Sequence, residues 1–195
     1  VGVNGLGIVH SNYLEVQRLA ANAELIDVSR GLEASRLIKD AEEVGRMRKA
    51  CAIASRVADE IPSILRKGMK EYEAAAELDY RMTKMGASGA AFGTNASFGA
   101  SSAEPHHGAE DISLSVGDTA LFDFGCKVEG YCSDITRSFC LGRADDAYRR
   151  AWDLVLEAQL AAEAARKAGM TVYILQERYT VPALVQTLAE YFSPA

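Results

Sequence analysis

Thr119-Ala-Leu-Phe-Asp-Phe-Gly-Cys-Lys-Val-Glu-Gly-Tyr-Cys-Ser-Asp-Ile-Thr-Arg-Ser-Phe139 reads as two strands folded back on each other. Two apolar, β-branched and aromatic runs flank Lys127-Val-Glu-Gly130. Gly130 can take the positive φ that a three-residue hairpin loop with a bulge requires. A turn centred between Val128 and Glu129 would make Asp123 and Asp134 cross-strand partners, with Cβ atoms about 5 Å apart. Asp123 stands among Leu121, Phe122 and Phe124, although aspartate is depleted in strands. Two carboxylates brought together in a dry place repel, so one takes up a proton or a cation lies between them. A divalent metal is the reading preferred here. Spacing alone leaves another open: a one-residue slip or a bulge would put the acids on opposite faces, each as a solvated strand residue.

The surrounding residues narrow this. Asp-Phe-Gly-x4-Gly-Tyr-x-Ser-Asp-Ile-Thr-Arg-Ser-Phe-x-x-Gly, residues 123 to 142, resembles the signature of the pita-bread metallopeptidases. The Ser133-Asp-x-Thr-Arg137 string is most similar to the Xaa-Pro aminopeptidase and prolidase branch, as against the methionine aminopeptidases. Ala91-Phe-Gly-Thr-Asn-Ala-Ser-Phe-Gly-Ala-Ser-Ser-Ala-Glu-Pro-His-His107 and Leu114-Ser-Val-Gly-Asp118 resemble the family's run into the hairpin. Arg36-Leu-Ile-Lys-Asp-Ala-Glu-Glu43 is similar to the approach to its first catalytic-domain helix. Together these cover about residues 34 to 169, and it is the combination that is specific.

The resemblance implies an α/β fold, a partial pita-bread with a mixed sheet and helices on one face. It implies a two-metal site in which Asp123 binds one ion and Asp134 bridges both. His106 would lie beside the substrate and stabilise the tetrahedral intermediate. Thr136 would hydrogen-bond a ligand carboxylate from behind, and Arg137 would pair with an acid of the site or serve in a surface ion pair. Two divalent ions generate hydroxide at neutral pH and polarise the scissile carbonyl. Hard carboxylate ligands suit Mn²⁺, with Co²⁺ or Zn²⁺ as alternatives. The implied activity is exopeptidase cleavage between an N-terminal residue and proline, on peptides with proline in second position, and a homodimer is an option for the full-length protein. The sequence departs from the pattern after Lys167-Ala-Gly-Met-Thr171. The family continues to one His and two Glu ligands, whereas no His follows His107, and Glu177 and Glu190 stand in no ligand context. Two of five ligands are present, so this stretch alone is expected to be inactive. The alternative function is a catalytically incompetent fragment or a non-catalytic pita-bread binding module.

Composition excludes other classes. With 49% hydrophobic residues in 195, the chain can bury a core as one or two domains. No apolar run reaches the length of a membrane span, and no signal-peptide pattern opens the chain. Dispersed basic residues and a net charge of −6 argue against a nucleic-acid surface. Cys51, Cys126, Cys132 and Cys140 lack paired zinc spacing and read as reduced thiols, which fits a cytoplasmic protein.

Residues 1–33, a strand, a helix with Ser11 as N-cap and a second strand, read as the C-terminal remnant of an N-terminal domain. Residues 34–195 read as the first half of the metallopeptidase domain, with 172–195 a divergent tail. Apolar spacing predicts helices over 40–67, 71–85 and 145–167, closed by Gly68, Gly86 and Gly169. The first would bury Val44, Met47, Cys51, Ala54, Val57, Ala58, Ile61 and Leu65, with Pro62 kinking or breaking it. The third would carry Tyr148, Trp152, Val155, Leu156 and Leu160 on its apolar face. The small residues of 87–102 read as a strand pair. His107 is read as a neighbour of His106, His10 as a capping or packing residue, and Phe92 as a core aromatic, with a place lining the substrate cleft as the alternative.

Overall fold

The computed structural model describes residues 1–168; Gly169 and the tail from 172 to 195 lie outside the described residues. In chain order the elements are β1 (Gly2–Val3), α1 (His10–Leu19), β2 (Ile26–Asp27), α2 (Ser29–Leu37), α3 (Ala41–Ile64), α4 (Glu71–Lys84), β3 (Gly89–Ala90) and β4 (Asn95–Phe98). A short 3₁₀ turn (Gly99–Ala103) follows, then β5 (Thr119–Phe124), β6 (Cys126–Val128), β7 (Tyr131–Cys132), β8 (Ile135–Cys140) and α5 (Asp146–Lys167). The class is α/β, as expected. β1 and β2 pair in parallel around α1, β3-β6-β7 form one sheet and β4-β5-β8 another. None of the described helices is long and apolar enough to cross a membrane.

Two compact units interleave along the chain. One comprises Val1–Glu60, Glu77–Thr94 and Asp123–Ile135; the other comprises Ile61–Ala76, Asn95–Phe122 and the residues from Thr136 onward.

In the first unit the hairpin is the organising element. Val128 pairs with Tyr131 and Lys127 with Cys132, so the loop is the two residues Glu129 and Gly130. Both have positive φ, +50° and +87°, the conformation that a two-residue type I′ connection demands. The expected three-residue loop is therefore corrected, and the centre of the turn lies one residue later than spacing suggested. Glu129 accepts a backbone conformation unfavourable for an L residue by about 1 kcal/mol. Its carboxylate meets Arg46 Nε at 3.2 Å and Lys49 Nζ at 3.6 Å, and the Tyr131 hydroxyl donates to Glu43 Oε1 at 2.7 Å. These contacts dock the hairpin tip on α3. Further along, Cys126 Sγ meets the Ala50 carbonyl oxygen at 3.4 Å.

Between β5 and β6 the chain passes Gly125, and between β7 and β8 it passes Ser133-Asp134. These breaks face each other. A Cβ on Gly125 would lie 1.9 Å from the Ser133 carbonyl oxygen, well inside any allowed contact. Only glycine permits that approach. Buried Ser133 closes it, donating its N–H to Cys126 O and accepting from Cys126 N, at 2.9 and 3.0 Å.

The second unit is built on an aromatic column. Phe98, Phe122 and Phe139 stack edge to face at centroid separations of 6.1 and 6.2 Å, with Phe98 and Phe122 fully buried. Burial of Phe98 and of Phe122 contributes about 2–3 kcal/mol each. Residues 68–71 run against 112–114: Gly68 N donates to Leu114 O, Leu114 N to Met69 O and Glu71 N to Ile112 O.

The helices follow the predicted periods with instructive departures. Along α3 the buried stripe is Ala50, Ala54, Val57, Ala58 and Ile61, while Cys51 is exposed. Cys51 sits one residue, or 100° of arc, off that stripe. The helix stops at Ile64 rather than Lys67, two residues past Pro62, the early break that a missing N–H favours. α4 ends as expected, with Ala87 N returning to Met82 O around Gly86 at φ +100°. α1 starts at His10 with Val9 as N-cap, so Ser11 lies inside the first turn and His10 is an exposed helical residue. α2 was not foreseen. The small-residue stretch is not a pair, because β3 joins β6 while β4 joins β5. α5 runs as predicted and is capped by Asp145 Oδ1 on Tyr148 N, yet Trp152, Val155 and Leu160 are exposed.

Replacing Gly125 by Ala is expected to lower stability by about 2 kcal/mol or more, because a backbone oxygen and not a flexible side chain must move. Urea unfolding of the wild type and G125A checks this, with Gly45→Ala inside α3 as the unstrained control: its added Cβ meets nothing within 4 Å, and the change should stabilise by up to about 1 kcal/mol.

Candidate functional site

Asp123 and Asp134 both belong to the first unit and stand on either side of the Gly125–Ser133 crossing. Along β5 the side chains alternate: Ala120, Phe122 and Phe124 are buried, while Thr119, Leu121 and Asp123 lie on the half-exposed face. Asp123 therefore projects away from the face that buries the phenylalanines. Asp134 is exposed and occupies the break itself, in no strand. The register of the hairpin tip, continued without interruption, would carry the partner of Asp123 two residues beyond Asp134. The ladder does not continue uninterrupted, because the Ser133-Asp134 break intervenes.

The other candidates belong to the second unit. Thr136 and Arg137 are exposed on β8, and Arg137 Nη1 donates to the Thr136 carbonyl at 2.8 Å. His106 lies in the loop between β4 and β5, exposed, with φ +59°. A positive φ in a residue other than glycine is uncommon and clusters at functional loops.

The neighbouring histidine is the surprise. His107, read from sequence as a bystander, has a side chain only 6% exposed. Its Nε2 meets Glu71 Oε2 at 2.8 Å, and its Nδ1 lies 3.4 Å from Glu104 Oε2. Glu71 is wholly buried and collects four donors. Phe98 N and Ser101 Oγ reach Oε1 at 2.7 and 2.5 Å; His107 Nε2 and Glu110 N reach Oε2 at 2.8 and 2.9 Å. Burial alone would raise the Glu71 carboxyl, but those four bonds outweigh it and hold it below its ordinary value. The Glu71 hydrogen bond lifts His107 above its ordinary value against the opposing effect of burial.

Glu71 was missed although its position was legible. It heads the buried stripe Glu71, Ala74, Leu78, Met82 of α4, and a glutamate in a core register is a polar group that must find donors. Ser133 was likewise passed over as a motif letter. Phe92, expected in the core, is 37% exposed and lies 3.2 Å from where a Gly125 Cβ would stand.

The two-metal centre implied by the resemblance can be tested against these donors. Asp123 and Asp134 supply two hard carboxylates. Among the described residues no group of three or more His, Cys, Asp or Glu side chains could hold a metal ion. The donors present do not by themselves fit a two-metal centre.

Comparison with known proteins agrees with the hairpin reading. The model of metallopeptidase family M24 matches residues 45–181. The chain is 36% identical over 160 residues to a Xaa-Pro dipeptidase of Pyrococcus furiosus, covering 82% of this chain and 45% of that one. It is 33% identical over 175 residues to an uncharacterised peptidase of Bacillus subtilis, covering 87% of this chain and 50% of the relative. Among solved structures, a Xaa-Pro dipeptidase from Bacillus anthracis superposes with a TM-score of 0.77 at 36% identity, over 82% of this chain and 44% of its own. A prolidase from Pyrococcus furiosus gives 0.77 at 28% identity, over 98% of this chain and 54% of its own. The chain spans about half the length of the curated relatives it matches.

Glu71→Ala would take the shared acceptor from four donors, of which Phe98 N and Ser101 Oγ keep only their bonds to each other's residue, and is expected to cost about 3–5 kcal/mol. The pair also fixes a pH window. The folded Glu71 value is depressed, so its contribution is present above 4.5 and lost as pH falls through the folded value. The folded His107 value is raised, so its contribution is present below 6.5 and lost as pH rises through that higher value. Urea midpoints measured from pH 3 to 9 should fall at both ends in the wild type; in E71A the acid component should disappear and the alkaline one shrink to what Glu104 supports.

Proposed function

The chain belongs to metallopeptidase family M24, and from that premise we propose that it forms part of the catalytic domain of an exopeptidase cleaving the bond between an N-terminal residue and proline. What carries the reading is the hairpin. Asp123 and Asp134 flank a crossing that only glycine permits, within the string Asp-Phe-Gly…Ser-Asp-Ile-Thr-Arg. The names of the relatives, a Xaa-Pro dipeptidase and a prolidase, support the choice of substrate. A bond before proline has no amide hydrogen and biases the preceding residue towards extended conformations, so it needs a dedicated site.

In this reading Asp123 and Asp134 are metal ligands, and Mn²⁺ is the first choice for hard oxygen donors, before Co²⁺ or Zn²⁺. His106 meets the substrate, Thr136 supports a ligand carboxylate and Arg137 balances charge nearby. A cytoplasmic location fits the free thiols of all four cysteines, and a homodimer is proposed for the full-length protein. Two acids without the expected His and two Glu hold an ion weakly, on the order of 10⁻⁴ M or worse. Residues 1–195 alone are therefore proposed to be inactive. The competing reading, a module that binds peptide without turnover, draws on the same lack of a third ligand among the described residues.

Two measurements test this. Calorimetric titration of residues 1–195 with Mn²⁺ should show weak binding that is abolished by Asp123→Asn and by Asp134→Asn. Binding that survives both removes the metal assignment. An assay with Mn²⁺ on an Xaa-Pro dipeptide and an Xaa-Pro tripeptide should show no turnover. Turnover lost in Asp134→Ala would mean that the chain supplies the further ligands itself.

A further inference from the structure

The loop that carries His106 has little to hold it in place. Gly99 to Ala109 is rich in small residues, contains a 3₁₀ turn of five residues and presents His106 exposed at φ +59°. Such a backbone conformation costs about 1–3 kcal/mol and relaxes unless its surroundings impose it. The restraint lies one residue away. Glu71 touches Phe98 before the loop, Ser101 at its first turn, His107 immediately after His106, and Glu110 at its end. The backbone of Glu71 is fixed independently by its N–H on Ile112 O. One buried carboxylate thus ties both ends and the middle of the loop to the first turn of α4.

We propose that Glu71 is a positioning residue for His106, acting through His107 and the two ends of the loop, and that His107 is the pin of this device. The proposal rests on the assignment of His106 to the substrate. Ser101 and His107 confine the free span to the five residues between them. With His107 released, that span lengthens to Glu110. The acids facing His107 are Glu71 from α4 and Glu104 from the loop, while Lys70 and Asp111 on the adjoining paired segments satisfy each other at 2.9 Å. A charged imidazole between two carboxylates makes a hydrogen bond roughly twice as strong as a neutral one. The pin is therefore firmest while Glu71 is ionised and His107 protonated, and slackens as His107 loses its proton. Glu71→Gln keeps the side-chain volume but turns an NH₂ towards two of the four donors, which breaks the clamp without emptying the site.

The test is ¹⁵N relaxation of the full 195-residue chain. In the wild type at pH 6 the His106 amide should have an order parameter of about 0.8 or above, falling below about 0.6 in E71Q. Glu129, at the hairpin tip, should not change. Raising the pH through the His107 titration should lower the His106 value in the wild type and not in E71Q. A carboxylate with a merely structural role would lower the melting temperature and leave His106 as ordered as before, and that result overturns the proposal. A wild-type His106 that is already mobile at pH 6 overturns it as well. If E71Q does not fold, Ser101→Ala, which removes one donor and leaves the charge, must give an intermediate loss of order at His106; an unchanged value rejects the idea. None of these readings depends on metal or turnover. Failure of the peptidase assignment, read by the Mn²⁺ titration and the peptide assay, is therefore separable from failure of the clamp.

Discussion

The close approach of the Ser133 carbonyl to Gly125 constrains everything around the two acids. With no side chain at position 125, backbones can meet at a distance that a Cβ would forbid. The Ser133 hydroxyl and amide then satisfy the two polar groups of Cys126 that the interrupted ladder would leave unpaired. The acids are placed by backbone geometry as a result, Asp123 at the end of β5 and Asp134 at the break itself. A carboxylate borne on such a crossing has little freedom to drift, which is the property that the proposed sharing of an ion requires.

A second constraint has a different physical character. Glu71 is a charge in a dry place, tolerable only because four donors converge on it. The arrangement is cooperative: removing the carboxylate strands its partners, and removing a partner leaves a charge less well solvated. Gly125 works by exclusion of atoms and Glu71 by saturation of lone pairs, and each holds candidate residues within its own unit.

Much of this was legible in the residues, for physical reasons. Periodicity marks α3, α4 and α5 because a stripe of buried side chains must recur every three or four residues. Glycine marks Gly86 and Gly130 because few other residues take positive φ. The single-residue errors have causes too. The turn was centred one residue early because Glu129, no glycine, adopts a left-handed conformation under restraint from Arg46 and Lys49, a tertiary effect that local preference does not contain. Cys51 was placed in the buried stripe because its chemistry suits burial, whereas the helix phase is set by Ala50, Ala54 and Val57. His107 was undervalued because its partner is 36 residues away on another element. Spacing and motif single out the hairpin acids as candidates but not the carboxylate beneath the histidine loop, since nothing nearby in sequence announces four distant donors.

The exposure of α5 has an optical consequence. Trp152 is the sole tryptophan of the chain, about half exposed, and it belongs to the unit that begins again at Thr136. Intrinsic tryptophan emission therefore reports on that unit alone, and a red-shifted baseline is its native signal. The unit that carries Asp123, Asp134 and the Gly125 crossing contains no such fluorophore. It is visible only through tyrosines such as Tyr131, whose hydroxyl is bonded to Glu43, a contact that shapes tyrosine emission. Excitation at the tryptophan edge thus isolates the signal of the unit that begins again at Thr136, whereas excitation in the tyrosine band draws on both units, which carry Tyr131 and Tyr148 respectively.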